Sequence, residues 1–200
     1  MTTSMQRIAF FDFDGTITTK DTLLEFVKFS KGRSRFYLGF FLTSPWMLAY
    51  KLKITSNHKA KEKFLSWFFR NCDRDVFQEW CRRFAAEKIP GLIRPKALQE
   101  IAKLRETGTA VIIVSASPEN WIQPWSESLG IRLIATRLVY KEDRLTGKIE
   151  GRNCHGEEKV RRIKEVYSLS DFDEILAYGD TSGDRPMLDI ARVSFYQPFR

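Results

Sequence analysis

A chain of 200 residues with 43% hydrophobic and 14% aromatic content holds enough apolar side chains to bury a core, and it is a poor candidate for disorder. Its three cysteines, Cys72, Cys81 and Cys154, contain no CxxC pair; they argue against a disulfide framework or a zinc knuckle and leave reduced cytosolic thiols as the simple expectation. The net charge of +8 is unevenly spread: residues 20–88 carry 15 Lys/Arg against 7 Asp/Glu, so a basic segment on a neutral body is either a solvated helical surface or a face that meets something anionic.

The opening stretch, MTTSMQRIAFFDFDGT, lacks a secretory pattern. Its apolar part is short, holds two aspartates and is followed by no small-residue cleavage site. Residues 7–13 (RIAFFDF) are a continuous apolar run ending in Asp and Gly, which predicts a buried parallel strand and then a turn. Residues 19–90 read as a helical insertion, basic and aromatic, with Asp21 placed to N-cap a helix over 22–29. A helix is expected over 96–106, stopped by Gly108, then a strand over 110–114 (AVIIV) and a turn over 115–118. Residues 118–129 predict a helix despite Pro124, and 132–135 a short strand. The alternation and turn residues of 136–152 suggest a β-hairpin, 156–167 an amphipathic helix, and 174–178 a strand. A short helix over 185–191 and a last strand over 193–196 complete the series. Strands alternating with helices give an α/β fold, a doubly wound parallel sheet.

Three acidic positions fall where such a sheet carries its chemistry. Asp12 and Asp14 end the first strand, and Asp180 follows the strand over 174–178. Ligands of open α/β sheets bind outside the carboxyl ends of the strands, so these distant residues can converge. Converging carboxylates repel unless a cation lies among them, and an all-oxygen ligand set favours Mg²⁺.

These residues also carry a resemblance. Residues 11–16 (FDFDGT) resemble the DxDGT motif of the haloacid dehalogenase superfamily, Ser115 its second motif, Lys159 its third, and residues 179–184 (GDTSGD) its fourth. All four occur in family order, and the insertion and the run GEEKVRRI resemble the phosphoserine phosphatase-like branch. The resemblance implies a core of residues 1–18 and 91–200 with a helical cap, residues 19–90, inserted after the first strand. It implies a Mg²⁺-dependent phosphomonoester hydrolase working through an aspartyl-phosphate. Asp12 would be the nucleophile and Asp14 the acid and base. Mg²⁺ would be held by the Asp12 carboxylate, the Asp14 main-chain carbonyl and Asp180, with Asp184 orienting bound water. Ser115, Lys159 and the backbone N–H of Ala116 would hold the phosphoryl group. Asp14 sets the chain apart from P-type ATPase-like and dehalogenase-like sites, which lack that second Asp; a mutase, which shares DxD, is an open alternative.

The substrate is less defined. Asp21 lies where phosphoserine phosphatases carry a Glu for the substrate amine, residues 115–118 read SASP in place of Ser-Gly-Gly, and Gly183 replaces their usual Asn. Phosphoserine phosphatase proper is therefore one alternative among several. Residues 36–50 (FYLGFFLTSPWMLAY) are uncharged and flanked by KGRSR and KLK. They are expected to form a helical hairpin packed inside the cap. The competing reading is a surface for an anionic membrane or a lipid phosphate. Fifteen residues interrupted at Ser44–Pro45 are too short to span a bilayer comfortably. Trp67, Phe68, Phe69 and Trp80 are expected in the cap core, and His58 in solvent. The expected partners are a small phosphomonoester and, as an alternative, an anionic membrane surface. Neither nucleic acid nor an obligate protein partner is expected. The expected location is cytoplasmic, with a peripheral membrane contact left open.

Overall fold

Side chains that alternate along neighbouring strands separate into two apolar layers in the computed structural model, which describes residues 5–200. Residues 1–4, part of the stretch in which no leader is expected, lie outside the described residues. Strands β1 (Arg7–Phe11), β2 (Ala110–Pro118), β3 (Arg132–Thr136), β6 (Glu174–Gly179) and β7 (Val193–Tyr196) form one sheet in the order β3-β2-β1-β6-β7. Every pairing in it is parallel. Ala9, Phe11, Val111, Ile113 and Tyr178 point to one layer, which Ile101 and Leu104 of α5 (Pro95–Glu106) and Trp121 of α6 (Glu119–Ser128) complete. Ile8, Phe10, Ile112, Val114 and Ala177 point to the other, closed by Ile163 of α7 (Glu157–Val166) and Met187 of α8 (Arg185–Asp189). A period of two explains the split, and helices on both faces explain why these strands are almost wholly apolar. The doubly wound sheet expected from the sequence is thus present, as is the hairpin, β4 (Leu138–Lys141) against β5 (Arg144–Ile149). One local expectation differs: residues 115–118 are not a free turn. They continue β2 to Pro118, pairing with β3 through a register shift between Ser115 and Pro118.

Four helices lie between β1 and α5 in the chain: α1 (Thr22–Lys31), α2 (Arg33–Lys51), α3 (Asn57–Phe69) and α4 (Arg74–Glu87). Phe26 of α1 is their hub, with ring contacts to Phe69, Phe77 and Phe84 and a stack on Trp121 at 4.6 Å between centroids. That stack joins the inserted helices to the body in one apolar cluster. Phe68 and Phe69 are buried as expected, whereas Trp67 is 37% exposed beside α2.

Residues 36–50 do not form the packed hairpin expected of them. They lie within the single helix α2, which runs through Pro45. A proline removes the N–H that would bond the carbonyl four residues back, here that of Phe41. The Ser44 hydroxyl donates to the Phe41 carbonyl at 2.7 Å, so no acceptor is orphaned and the helix continues. Only Phe36, Gly39 and Thr43 of α2 are buried. Among the described residues no helix is long and apolar enough to cross a membrane.

Candidate active site

The chain leaves β1 through a turn that places three motif residues. Asp12 still donates its N–H to the Tyr178 carbonyl at 2.9 Å, extending the ladder to β6. Residues Phe13–Ile17 then coil back, with Gly15 at φ 85°. This is the left-handed region, and a Cβ at Gly15 would also fall on the Asp180 carboxylate. Glycine is therefore required twice over, by the turn and by the neighbour.

Asp12, Asp180 and Asp184 are all buried, and each offers one oxygen within 4.8 Å of the others. Lys159, 1% exposed, reaches them from α7. Its Nζ donates to Asp12 Oδ1 at 2.6 Å, to Asp184 Oδ1 at 2.8 Å and to the Val114 carbonyl at 2.6 Å, which uses all three of its N–H bonds. The two carboxylates hold the Lys159 ammonium well above its ordinary pKa despite burial. Removal from water pushes the Asp12 carboxyl up to about 8, against the pull of Lys159, and the charges of Asp184 and Asp14 push the same way.

The donor set fits a divalent cation. The Thr16 hydroxyl lies 3.3 Å from both Asp12 Oδ2 and Asp180 Oδ1, yet it has one hydrogen for the two. The other Asp180 oxygen faces the Arg200 guanidinium at 2.5 Å. Two carboxylate oxygens facing each other across one hydroxyl are short of positive charge, and both are hard oxygen donors. Asp184 is differently placed. Its Oδ1 accepts from Lys159, and its Oδ2 accepts the Thr181 hydroxyl at 2.8 Å and the N–H groups of Thr181 and Asp180. Both of its oxygens are engaged within the fold, as suits a residue that supports the cluster from behind.

Asp14, expected at the metal through its carbonyl, directs its side chain elsewhere. Oδ1 accepts from the Thr22 N–H and hydroxyl, each at 2.6 Å, at the first residue of α1. Oδ2 lies 3.4 Å from the Ser115 hydroxyl, which donates to it. Thr22 in turn accepts from Trp121 Nε1 at 3.1 Å, so the Asp14 carboxylate is oriented through both the helical insertion and the body. Ser115 is fully buried and accepts the Ser117 N–H at 3.0 Å. The Ala116 carbonyl accepts from the Thr136 hydroxyl and from Lys61 Nζ at 2.7 Å. Asp21 caps α1, accepting from the Leu24 N–H at 3.1 Å.

These residues surround one cavity of about 430 Å³. Asp12, Asp14, Lys159, Asp184, Ala116 and Asp21 line it; Asp180 and Ser115 stand behind the lining. Its other wall comes from the inserted helices, through Leu24, Met47, Tyr50, Lys51, Lys61 and Phe64. A larger groove of about 900 Å³ follows the β3 edge, but none of the motif carboxylates lines it.

Sequence reasoning missed Lys61, one lysine among many in a basic helix, with no motif around it. It also placed His58 in solvent, whereas His58 Nδ1 accepts the Asn153 N–H at 3.3 Å and the residue is half-buried beside Glu62. His155 also lines the cavity, and burial holds its imidazole below the ordinary pKa of 6.5.

Comparison with known proteins places this geometry in context. The family described as haloacid dehalogenase-like hydrolase matches residues 9–189. Protein CicA of Caulobacter vibrioides is 37% identical over 192 residues, covering 95% of this chain and 85% of that protein. The probable phosphatase Rv3661 of Mycobacterium tuberculosis is 28% identical over 201 residues, covering 96% of this chain and 69% of that one. A solved phosphoserine phosphatase, captured as a phospho-aspartyl intermediate analogue, superposes with a TM-score of 0.70 at 18% identity, covering 95% of this chain and 85% of that chain.

Proposed function

Because this chain belongs to the haloacid dehalogenase-like hydrolases, we propose that it is a Mg²⁺-dependent phosphatase of the phosphoserine phosphatase-like branch that hydrolyses a phosphomonoester through an aspartyl-phosphate on Asp12. The observation that carries this reading is the buried Asp12 at the end of β1, paired with Lys159 at 2.6 Å and facing a cavity it shares with Asp14.

In this reading an Asp12 carboxylate oxygen bonds to phosphorus as the bond to the leaving alkoxide breaks. Asp14 gives that alkoxide its proton. Thr22 donates twice to Asp14 Oδ1, so Oδ2, on the side of Ser115, is the oxygen that carries the proton. In the second half, Asp14 takes a proton from water as the water oxygen bonds to phosphorus and the bond to Asp12 breaks. Lys159 opposes the rise that burial imposes on the Asp12 carboxyl, and with the cation it would favour the anionic form that attacks. The Ser115 hydroxyl, turned from Asp14 Oδ2 to the substrate, and the Ala116 N–H would orient the phosphoryl oxygens. Asp12, the Asp14 main-chain carbonyl and Asp180 would hold the divalent cation, with Asp184 fixing their surroundings. When bound, that cation supplies charge compensation for the facing carboxylates and the phosphoryl oxygens.

Residues 19–90 serve as the cap that selects the leaving group, over a core of 1–18 and 91–200. The cap wall is largely apolar, with Leu24, Met47 and Phe64 beside Lys51 and Lys61. The Asp21 carboxylate, the counterpart of an amine-binding Glu, is engaged as a helix cap. This wall favours a leaving alcohol with an apolar portion, a lipid phosphate being the second reading, over serine phosphate.

The test is turnover of p-nitrophenyl phosphate with and without Mg²⁺, in the native protein and in Asp12→Asn, followed by borohydride trapping of the acyl phosphate as homoserine at residue 12. Turnover requiring Mg²⁺, a loss of at least about 10³-fold in the variant and a homoserine mark support the assignment. Full activity in Asp12→Asn would refute it.

A further inference from the structure

Helix α2 presents to solvent the kind of side chains that a helix ordinarily buries. Its buried stripe, Phe36, Gly39 and Thr43, faces the other inserted helices, Phe36 beside Lys28 of α1 and Gly39 against Trp67 and Phe68 of α3. Outside that stripe, Tyr37 is 65% exposed, Leu38 55%, Phe41 74% and Leu48 57%, and Ile54 beyond the helix is 76% exposed. A contiguous apolar surface of this kind marks a place where something docks.

The charge pattern identifies what docks. Between Glu25 and Glu62 the chain holds eight Lys/Arg and no carboxylate. Arg33 and Arg35 are exposed at one end of α2, and Lys51 and Lys53 at the other. An aromatic and aliphatic centre with cations at both ends matches the layers of a membrane interface. Apolar side chains enter the acyl boundary while the cations meet anionic headgroups. A second copy of this face would set like charges against like, which disfavours self-association. The helix is not long and apolar enough to cross a bilayer, so it would lie along one.

We propose that α2 docks this protein in the plane of an anionic lipid bilayer. Met47, Tyr50 and Lys51 of the same helix close one side of the catalytic cavity, so docking sets that cavity beside the headgroup layer. The inference stands apart from the aspartate chemistry, because the exposed residues that carry it do not touch the carboxylates.

Co-sedimentation with vesicles tests it, using equal parts phosphatidylcholine and phosphatidylglycerol, and phosphatidylcholine alone, at low salt. Binding to the mixed vesicles is expected, weakening with added salt and weaker by roughly tenfold or more on phosphatidylcholine. Leu38→Ser with Phe41→Ser should reduce binding by about tenfold or more. Arg35→Glu with Lys53→Glu should reduce it on the mixed vesicles. Both double variants should retain native circular dichroism and p-nitrophenyl phosphate turnover. Absence of binding to the mixed vesicles at low salt, or native binding by the Leu38→Ser/Phe41→Ser protein, would overturn the proposal. So would a dimer in sedimentation velocity that this variant abolishes, if vesicles are not bound.

Discussion

The imidazole of His155 occupies the space that a Cβ on Gly183 would need. Gly183 sits in the turn after β6 that also carries Asp180 and Asp184, and His155 precedes α7, which carries Lys159. The absent side chain thus lets a ring from one motif lean over another. Gly183→Ala is expected to displace His155 without disturbing the fold, because the far end of a side chain can swing aside. Stability should fall by less than about 1 kcal/mol. KM for a phosphomonoester should rise several-fold, with kcat changing less. Thermal denaturation and steady-state kinetics check the two halves separately.

Lys159 is the only cation among the described residues that pairs with Asp12 or Asp184. Lys159→Met would leave two buried carboxylates facing each other. A loss of about 3 kcal/mol of stability is expected, since breaking a buried pair strands its partner. Chemical denaturation measures it, and the loss should shrink on addition of Mg²⁺.

The hydroxyl shared between Asp12 and Asp180 predicts a response to metal independent of turnover. Mg²⁺ added to chelator-treated protein should raise Tm in a concentration-dependent way. Asp180→Asn should weaken that response, because it removes one of the two facing charges. An equal rise in both proteins would show that the cation binds elsewhere.

Close approach of α2 to α3 depends on Gly39, whose missing Cβ is replaced by the rings of Trp67 and Phe68. Gly39→Leu should lift the helix and cost about 1–3 kcal/mol, as overpacking does. Fluorescence of Trp67 should report the displacement.

Glu158, buried on α7, accepts from Arg161 at 2.6 Å and from Arg162 at 2.9 Å. Bonding to Arg161, then to Arg162, holds its carboxyl below the ordinary value of 4.5. A depressed folded pKa stabilises above the unfolded value and loses that contribution as pH falls through the folded one. Glu158→Gln should therefore be less stable than the native protein at neutral pH, by about 1 kcal/mol given the exposed Arg161. The difference should close at pH values below 4.5. Urea denaturation across that range checks the sign.

Much of this protein is legible in one dimension. The apolar runs at residues 7–13, 110–114 and 174–178 read as strands buried on both faces, because each is short and has a glycine within two residues of one end. The motif residues lie at the ends of those strands, and a parallel sheet brings strand ends together whatever lies between them. That is why Asp12 and Asp180 could be placed near each other from sequence. Tertiary structure alone decided where single side chains turn. It set Asp14 on the first residue of α1, Lys61 on the Ala116 carbonyl and His155 over Gly183. The rescue of the carbonyl released by Pro45 is local, through Ser44, but only the packing decided that the resulting helix leaves Tyr37, Leu38 and Phe41 outward. Periodicity records which residues avoid water on average. It does not record which partner fills a given hydrogen bond or which neighbour covers a given face, because those depend on atoms brought together from distant parts of the chain.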